Sequence, residues 1–146
     1  MDLITMLLLE HKFILRQVHY LEKLTKVSRT GPDMRCMKEI ALLIADSVQR
    51  HSRIEDRFLF PELLSRLNKQ QSMIGMLEFE HGEILGILSV LERTDEPRVI
   101  RKEINNLIRA LRSHFSKEEI SYFPLARRKV GTARLRVLGK KVERHR

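Results

Sequence analysis

The sequence predicts an all-α fold: an antiparallel up-down-up-down four-helix bundle with a basic C-terminal tail. Three observations carry that expectation. Helix-favouring Leu, Ile, Lys, Arg and Glu are plentiful, while the 146 residues hold only six glycines, four prolines and 5% aromatics, so the aromatic enrichment of strands is missing. Apolar residues recur at spacings of three and four in four separate stripes. The connections between stripes are short, and a short loop can only return each helix beside its predecessor. A chain of this length suits one domain.

The first stripe is Leu3, Leu7, Ile14, Val18 and Leu21, giving a helix over 2–28 that ends before the Thr30-Gly31-Pro32 breaker. The second, Met37, Ile40, Ile44, Val48 and Phe58, gives a helix over 33–66 with Asp33 as its cap and Pro61 expected to kink or end it. The third, Met73, Leu77, Ile84, Leu88 and Leu91, gives 70–93 and stops at Thr94-Asp95-Glu96-Pro97, where a proline can open the next helix. The fourth runs from Ile100, Ile104, Leu107 and Leu111 to Leu125 over 97–129, with Pro124 and Gly131 as stop signals. Residues 1–129 are thus expected to form the bundle and 130–146 the tail.

The formal charge of +9 belongs mostly to that tail: from Arg127 onward nine Lys/Arg stand against one acid, Glu143, leaving the first 126 residues near +1. No apolar run reaches the roughly 20 residues of a membrane helix, and Leu3 to Leu9 lacks the basic flank and cleavage site of a signal peptide. The single cysteine, Cys36, cannot close an internal disulfide. A soluble, unprocessed, cytoplasmic protein is the resulting expectation.

The chain repeats itself. Glu10-His11 in the first helix is echoed by Glu80-His81 in the third; His51-Ser-Arg-Ile-Glu55 in the second is echoed by His114-Phe-Ser-Lys-Glu118 in the fourth. Phe60-Pro61 and Phe123-Pro124 each begin nine residues past the respective histidine. Two copies of a helical hairpin related by a pseudo-twofold axis are implied.

His11, His51, Glu55, His81, His114 and Glu118 all continue the apolar stripes and so point into the core. A buried carboxylate without compensation costs several kcal/mol, and two facing carboxylates raise each other's pKa. A cation supplies the compensation. Residues four apart on a helix are neighbours, so each His-x-x-x-Glu offers an imidazole and a carboxylate to one centre. Two glutamates approaching from opposite sides can bridge two ions. A mixed nitrogen and oxygen set suits Fe or Mn better than Ca or Mg, with Zn chemically possible. A lone core histidine is usually structural; four histidines and two glutamates, arranged as two copies of one pattern, argue otherwise.

On these residues the chain resembles the hemerythrin-like family, specifically its cation-binding branch with a histidine on each helix and His-x-x-x-Glu on the second and fourth, over about residues 1–129. The resemblance implies a non-haem centre of two iron ions with a bridging oxo or hydroxo group, ligated by His11, His51, Glu55, His81, His114 and Glu118. The oxygen-carrying members place a further histidine one turn after the third-helix ligand, where this chain has Leu85, so one iron would be less saturated by protein. Their fourth-helix carboxylate falls one residue later, which makes Glu119 a substitute ligand to weigh against Glu118.

Three functions share this chemistry. A stress-related protein that senses or handles iron, O2, NO or peroxide, or repairs iron centres with an iron or electron-transfer partner, fits four histidines and two glutamates best. An O2 storage or delivery module is weakened by Leu85. A di-iron peroxidase or NO reductase needs a proton and electron route, for which Tyr122, one turn past Glu118, is the single suggestive residue; the second helix has Leu59 there.

The tail interleaves Arg134, Arg136, Lys140, Lys141, Arg144 and Arg146 with Leu135, Val137 and Leu138. It could form a basic amphipathic turn on nucleic acid, an acidic partner or anionic lipid, or simply be solvated; with no reading module beside it, any nucleic-acid contact would be non-specific. Met34, Met37, Met73 and Met76 read as packing, Cys36 as structural or incidental, and His19 and His145 as non-ligands.

Overall fold

Local caps set where the apolar stripes become helices in the computed structural model, which describes residues 1–67 and 71–145. Helix α1 spans Leu3–Val27, opened by Asp2, whose carboxylate accepts from the Thr5 backbone N–H at 2.9 Å. Helix α2 spans Gly31–Ile54. Its cap is Thr30 rather than Asp33: the Thr30 hydroxyl accepts from the Asp33 N–H, and the Asp33 carboxylate reaches back to the Thr30 N–H. The Gly-Pro pair that reads as a breaker therefore lies inside the first turn, where a missing N–H costs nothing.

A π-turn over Glu55–Leu59 joins α2 to a short helix α3, Phe60–Leu64. Helix α4 spans Gln71–Arg93; residue 70, where the sequence places its start, lies outside the described residues, as does Arg146. Helix α5, Pro97–Lys117, continues through a second π-turn, Glu118–Tyr122, into α6, Phe123–Lys129. The four long elements form the expected up-down-up-down bundle, with α1 against α2 and α4 against α5 as antiparallel hairpins. At the end where both hairpins turn, Lys38 Nζ donates to the Thr94 carbonyl (2.6 Å), and Arg101 donates to the carbonyls of Thr25 in the last turn of α1 (2.9 Å) and of Ser28, which caps it (2.6 Å).

The residues expected to be a tail are largely a helix. Gly131, at φ 85°, makes the left-handed turn that few other residues tolerate, and α7 then spans Thr132–Arg144 and packs on α1. Its Leu135, Leu138 and Val142 are buried in the same apolar cluster as Leu3, Leu7, Phe60 and Phe123. Burial of each such side chain is worth about 1.5–3 kcal/mol, enough to hold a short helix that its charged residues alone would leave frayed.

The core is split into two apolar layers. One, at the hairpin-turn end, contains Ile14, Val48, Ile84 and Leu111. The other, capped by α7, contains Leu7, Leu59, Leu77 and Tyr122. On every long helix the stripe residue between the two layers is a histidine or glutamate. Of the four methionines expected to serve as packing, Met34 and Met37 are buried and Met73 packs at the edge, while Met76 is exposed.

Candidate metal centre

The polar layer is built by the widened turns at its edge. Phe60 donates its N–H to the Glu55 carbonyl and Phe123 to the Glu118 carbonyl, an i to i−5 pairing in each case. Proline has no N–H and crowds the carbonyl four residues back. The π-turn ahead of Pro61 and of Pro124 takes up that register change, so both helices continue where the prolines were expected to end or kink them. Each π-turn begins at the glutamate of a His-x-x-x-Glu pair.

The six predicted residues converge and are buried, none more than 4% exposed. His11, His51, Glu55 and Glu118 offer one donor atom each within 4.8 Å of one another, and so do Glu55, His81, His114 and Glu118. Both glutamates belong to both groups. Glu55 Oε1 lies 3.2 Å from His51 Nε2 and 3.3 Å from His81 Nε2. Glu118 Oε1 lies 3.0 Å from His11 Nε2, and its Oε2 lies 3.6 Å from His114 Nε2. These approaches are close but poorly directed: both Glu55 oxygens and Glu118 Oε2 are fully buried with no hydrogen bond of good geometry.

Three of the four rings are gripped from behind by carboxylates. His51 Nδ1 donates to Glu10 (2.9 Å), His81 Nδ1 to Asp56 (3.0 Å) and His114 Nδ1 to Glu80 (3.0 Å), whose other oxygen pairs with Lys117. Glu10 and Glu80 therefore have matching roles, each reaching from the residue before one histidine to the histidine of the next helix. Sequence reasoning found both as parts of the repeat without giving them this task; the doublets Glu-His and Glu55-Asp56 were the available signal. The fourth ring, His11, has only Glu119 Oε1 at 3.8 Å from its Nδ1, beyond hydrogen-bond reach. It is held by stacking on Phe115, with centroids 3.9 Å apart and planes 9° from parallel.

This outer grip fixes the inner chemistry. A carboxylate only accepts, so each gripped Nδ1 carries the proton and a neutral ring must turn a lone pair inward at Nε2. Yet His81 and His114 face each other Nε2 to Nε2 at 2.9 Å, and His11 and His51 at 3.0 Å. Two lone pairs at that distance repel unless a proton or a cation lies between them. Without a cation, protons do that work. Burial pushes His51 down, but Glu55 and Glu10 overcome it and hold it up at about 9; burial likewise opposes His81, which Asp56 and Glu55 hold up at about 9. Burial, then the charge on His51, pushes His11 down to about 4, and burial lowers His114. Burial would raise Glu55, yet His51 and His81 bring it down to about 2. Each facing pair thus holds one charged and one neutral ring, and a cation at either pair could replace the proton while satisfying the orphaned carboxylate oxygens.

The other sequence candidates fall outside this layer. Glu119 is exposed, behind His11. Tyr122 is buried, but its hydroxyl donates to the Met73 carbonyl at 3.0 Å and not to the donor cluster. Leu85 is 45% exposed, on the outer side of α4, where Ile84 takes the inward place. His19, His145 and Cys36 are exposed and belong to neither donor group. Among the described residues no helix is long and apolar enough to cross a membrane.

Residues 2–126 match the family model for the hemerythrin HHE cation binding domain, which takes in the whole donor layer and stops before α7. No curated protein and no solved structure matches the chain.

Proposed function

The chain belongs to the hemerythrin HHE cation-binding family, and we propose that it holds two iron ions with a bridging oxo or hydroxo group. His11 and His51 serve one ion, His81 and His114 the other, and Glu55 and Glu118 are shared. The observation that carries this reading is the facing pairs of imidazole nitrogens, three of the four rings gripped from behind so that a lone pair points inward, beside carboxylate oxygens with no partner. Imidazole with carboxylate favours iron over the oxygen-seeking Ca and Mg. Such a centre supplies a redox change and an exchangeable position for O2, NO or peroxide. The chain's own part is to orient the rings through Glu10, Asp56 and Glu80 and to wall the layer with Phe60, Phe115 and Phe123.

Sensing or handling of iron, O2, NO or peroxide, in stress response or iron-centre repair, is the leading role. Tyr122 gives its hydrogen bond to Met73, so the residue best placed to feed protons or electrons to a turnover reaction is otherwise engaged. Storage or delivery of O2 is the second reading, weakened by leucine rather than histidine at position 85.

Iron per chain in anaerobically loaded, desalted protein tests the centre, comparing wild type with Glu55→Ala/Glu118→Ala while circular dichroism confirms that both stay helical. Two irons in the wild type, lost with the carboxylates, is the expected result; a folded wild type without iron overturns it. Reversible optical change on O2 cycling would then mark a carrier, and transfer of iron to an apo acceptor a repair protein.

A further inference from the structure

We propose that the outer face of α7 is a binding site for the phosphate backbone of nucleic acid. At about 100° per residue, Leu135, Leu138, Gly139 and Val142 occupy one side of α7, and all four are buried. Arg136, Lys140, Lys141 and Arg144 fill the opposite, exposed arc. Arg136, Lys140 and Arg144 follow one another at four-residue intervals and so form a ridge along one face. None of these four cations, nor Arg128 and Lys129 at the end of α6, makes an ion pair among the described residues; Arg127 and Arg134, by contrast, are tied to Asp2 and Glu62. Glu143, the acid of this helix, lies at the edge of the arc beside the α1–α2 groove. The ridge is thus a concentration of charge without internal compensation on a body whose first 126 residues are near neutral.

Two features choose the partner. A helix that settles into a membrane needs its apolar face free for the acyl boundary, and here that face is spent on α1 and the bundle end. Only Val137 is an apolar residue of any size on the exposed arc. What remains is a rigid row of cations held in place by the Arg134–Glu62 contact and by Gly139 against the start of α1. That suits a polyanion with regularly spaced charge, met through its phosphates and without base reading.

The test is fluorescence anisotropy of the full chain with a random-sequence DNA duplex of about 20 base pairs, across roughly 50–300 mM salt, where each phosphate contact contributes about −0.9 to the slope of log K on log salt. Four to six contacts give a slope of about −3.6 to −5.4. Arg136→Glu/Lys140→Glu/Arg144→Glu should make the slope shallower by about 2.7 and weaken binding several-hundred-fold or more at ~0.1 M salt. Arg98→Glu/Lys102→Glu/Arg109→Glu, an equal charge change on exposed residues of α5, should bind much more like wild type. The proposal is overturned by a wild type that does not bind the duplex, by a ridge variant that binds as well as wild type, or by a control that loses as much as the ridge variant. Phosphatidylserine vesicles that displace the duplex from the protein would also overturn it, in favour of a lipid surface.

Discussion

Removing the carboxylate behind a ring should cost metal affinity although it touches no proposed ligand atom. Glu10→Ala takes away the acceptor of His51 Nδ1 (2.9 Å), and Glu80→Ala that of His114 Nδ1 (3.0 Å). Leaving such a buried donor without a partner costs about 1–3 kcal/mol. Loss of a group that orients a metal-binding histidine typically costs 10–100-fold in affinity, which is about 1.4–2.7 kcal/mol. The two routes agree, so each variant should bind iron 10–100-fold more weakly. The glutamines are the sharper probes: an amide oxygen still accepts from Nδ1, so Glu10→Gln and Glu80→Gln remove the charge and keep the bond, and should lose less than the alanines. Competition against a chelator of known affinity, under anaerobic conditions, reads the constants. Glu119→Ala is the control, since its carboxylate is exposed and 3.8 Å from His11. Should Glu119→Ala lose iron while Glu10→Ala stays within a factor of two, the assignment of inner and outer carboxylates would be wrong.

Gly139→Ala and Gly86→Ala should move stability in opposite directions: alanine gains about 1 kcal/mol over glycine in a helix, but a Cβ at 139 would overlap the Met1 carbonyl oxygen, whereas at 86 it meets nothing within 4 Å. Thermal unfolding should rise by about 2–4 °C for Gly86→Ala and fall for Gly139→Ala; equal shifts would refute the close docking of α7. In chelator-treated protein the charged forms of His51 and His81, held up from 6.5 to about 9, contribute stability that is complete below about pH 6.5 and lost as pH rises through 9. Melting temperature of the metal-free protein should therefore decline across that window while the iron-loaded protein, whose rings are already deprotonated, does not; a flat metal-free profile would contradict the shared-proton picture. Anaerobic iron titration should resolve unequal steps, and Phe115→Ala should weaken the weaker step first, because that ring supports His11; loss of both ions at once would show that the halves bind only as a unit.

The bundle was legible because its signal is periodic and repeated. Stripe residues such as Leu7, Ile14 and Val18 carry the helical face directly, and the six polar residues stand out by sharing that face. What escaped the sequence depends on contacts between helices or on backbone register. Glu10 looks like an ordinary solvated acid until α2 brings His51 alongside it. Pro61 and Pro124 are reliable helix stops in an α-register, and only the wide turns at Glu55 and Glu118 make them compatible with continuation. Charge hid α7: its cations suggest a tail, and the small set of Leu135, Leu138, Gly139 and Val142 is recognisable as a packing face only once the open end of the bundle is there to receive it.

The duplication is informative where it breaks. Phe115 follows His114, while its counterpart after His51 is Ser52. The acid behind His81 is a hydrogen-bonded Asp56 at 3.0 Å, while its counterpart behind His11, Glu119, stands off at 3.8 Å. These departures meet at one corner. His11 has exchanged an outer hydrogen bond for a face-to-face stack, and a stack fixes a ring's plane without polarising its nitrogen. A ring whose Nδ1–H is shared with a carboxylate is a more basic ligand than one whose outer nitrogen is unpaired. The half of the centre served by His11 should therefore be the softer one, binding its ion less firmly and exchanging an additional ligand more readily than the half gripped by both Asp56 and Glu80.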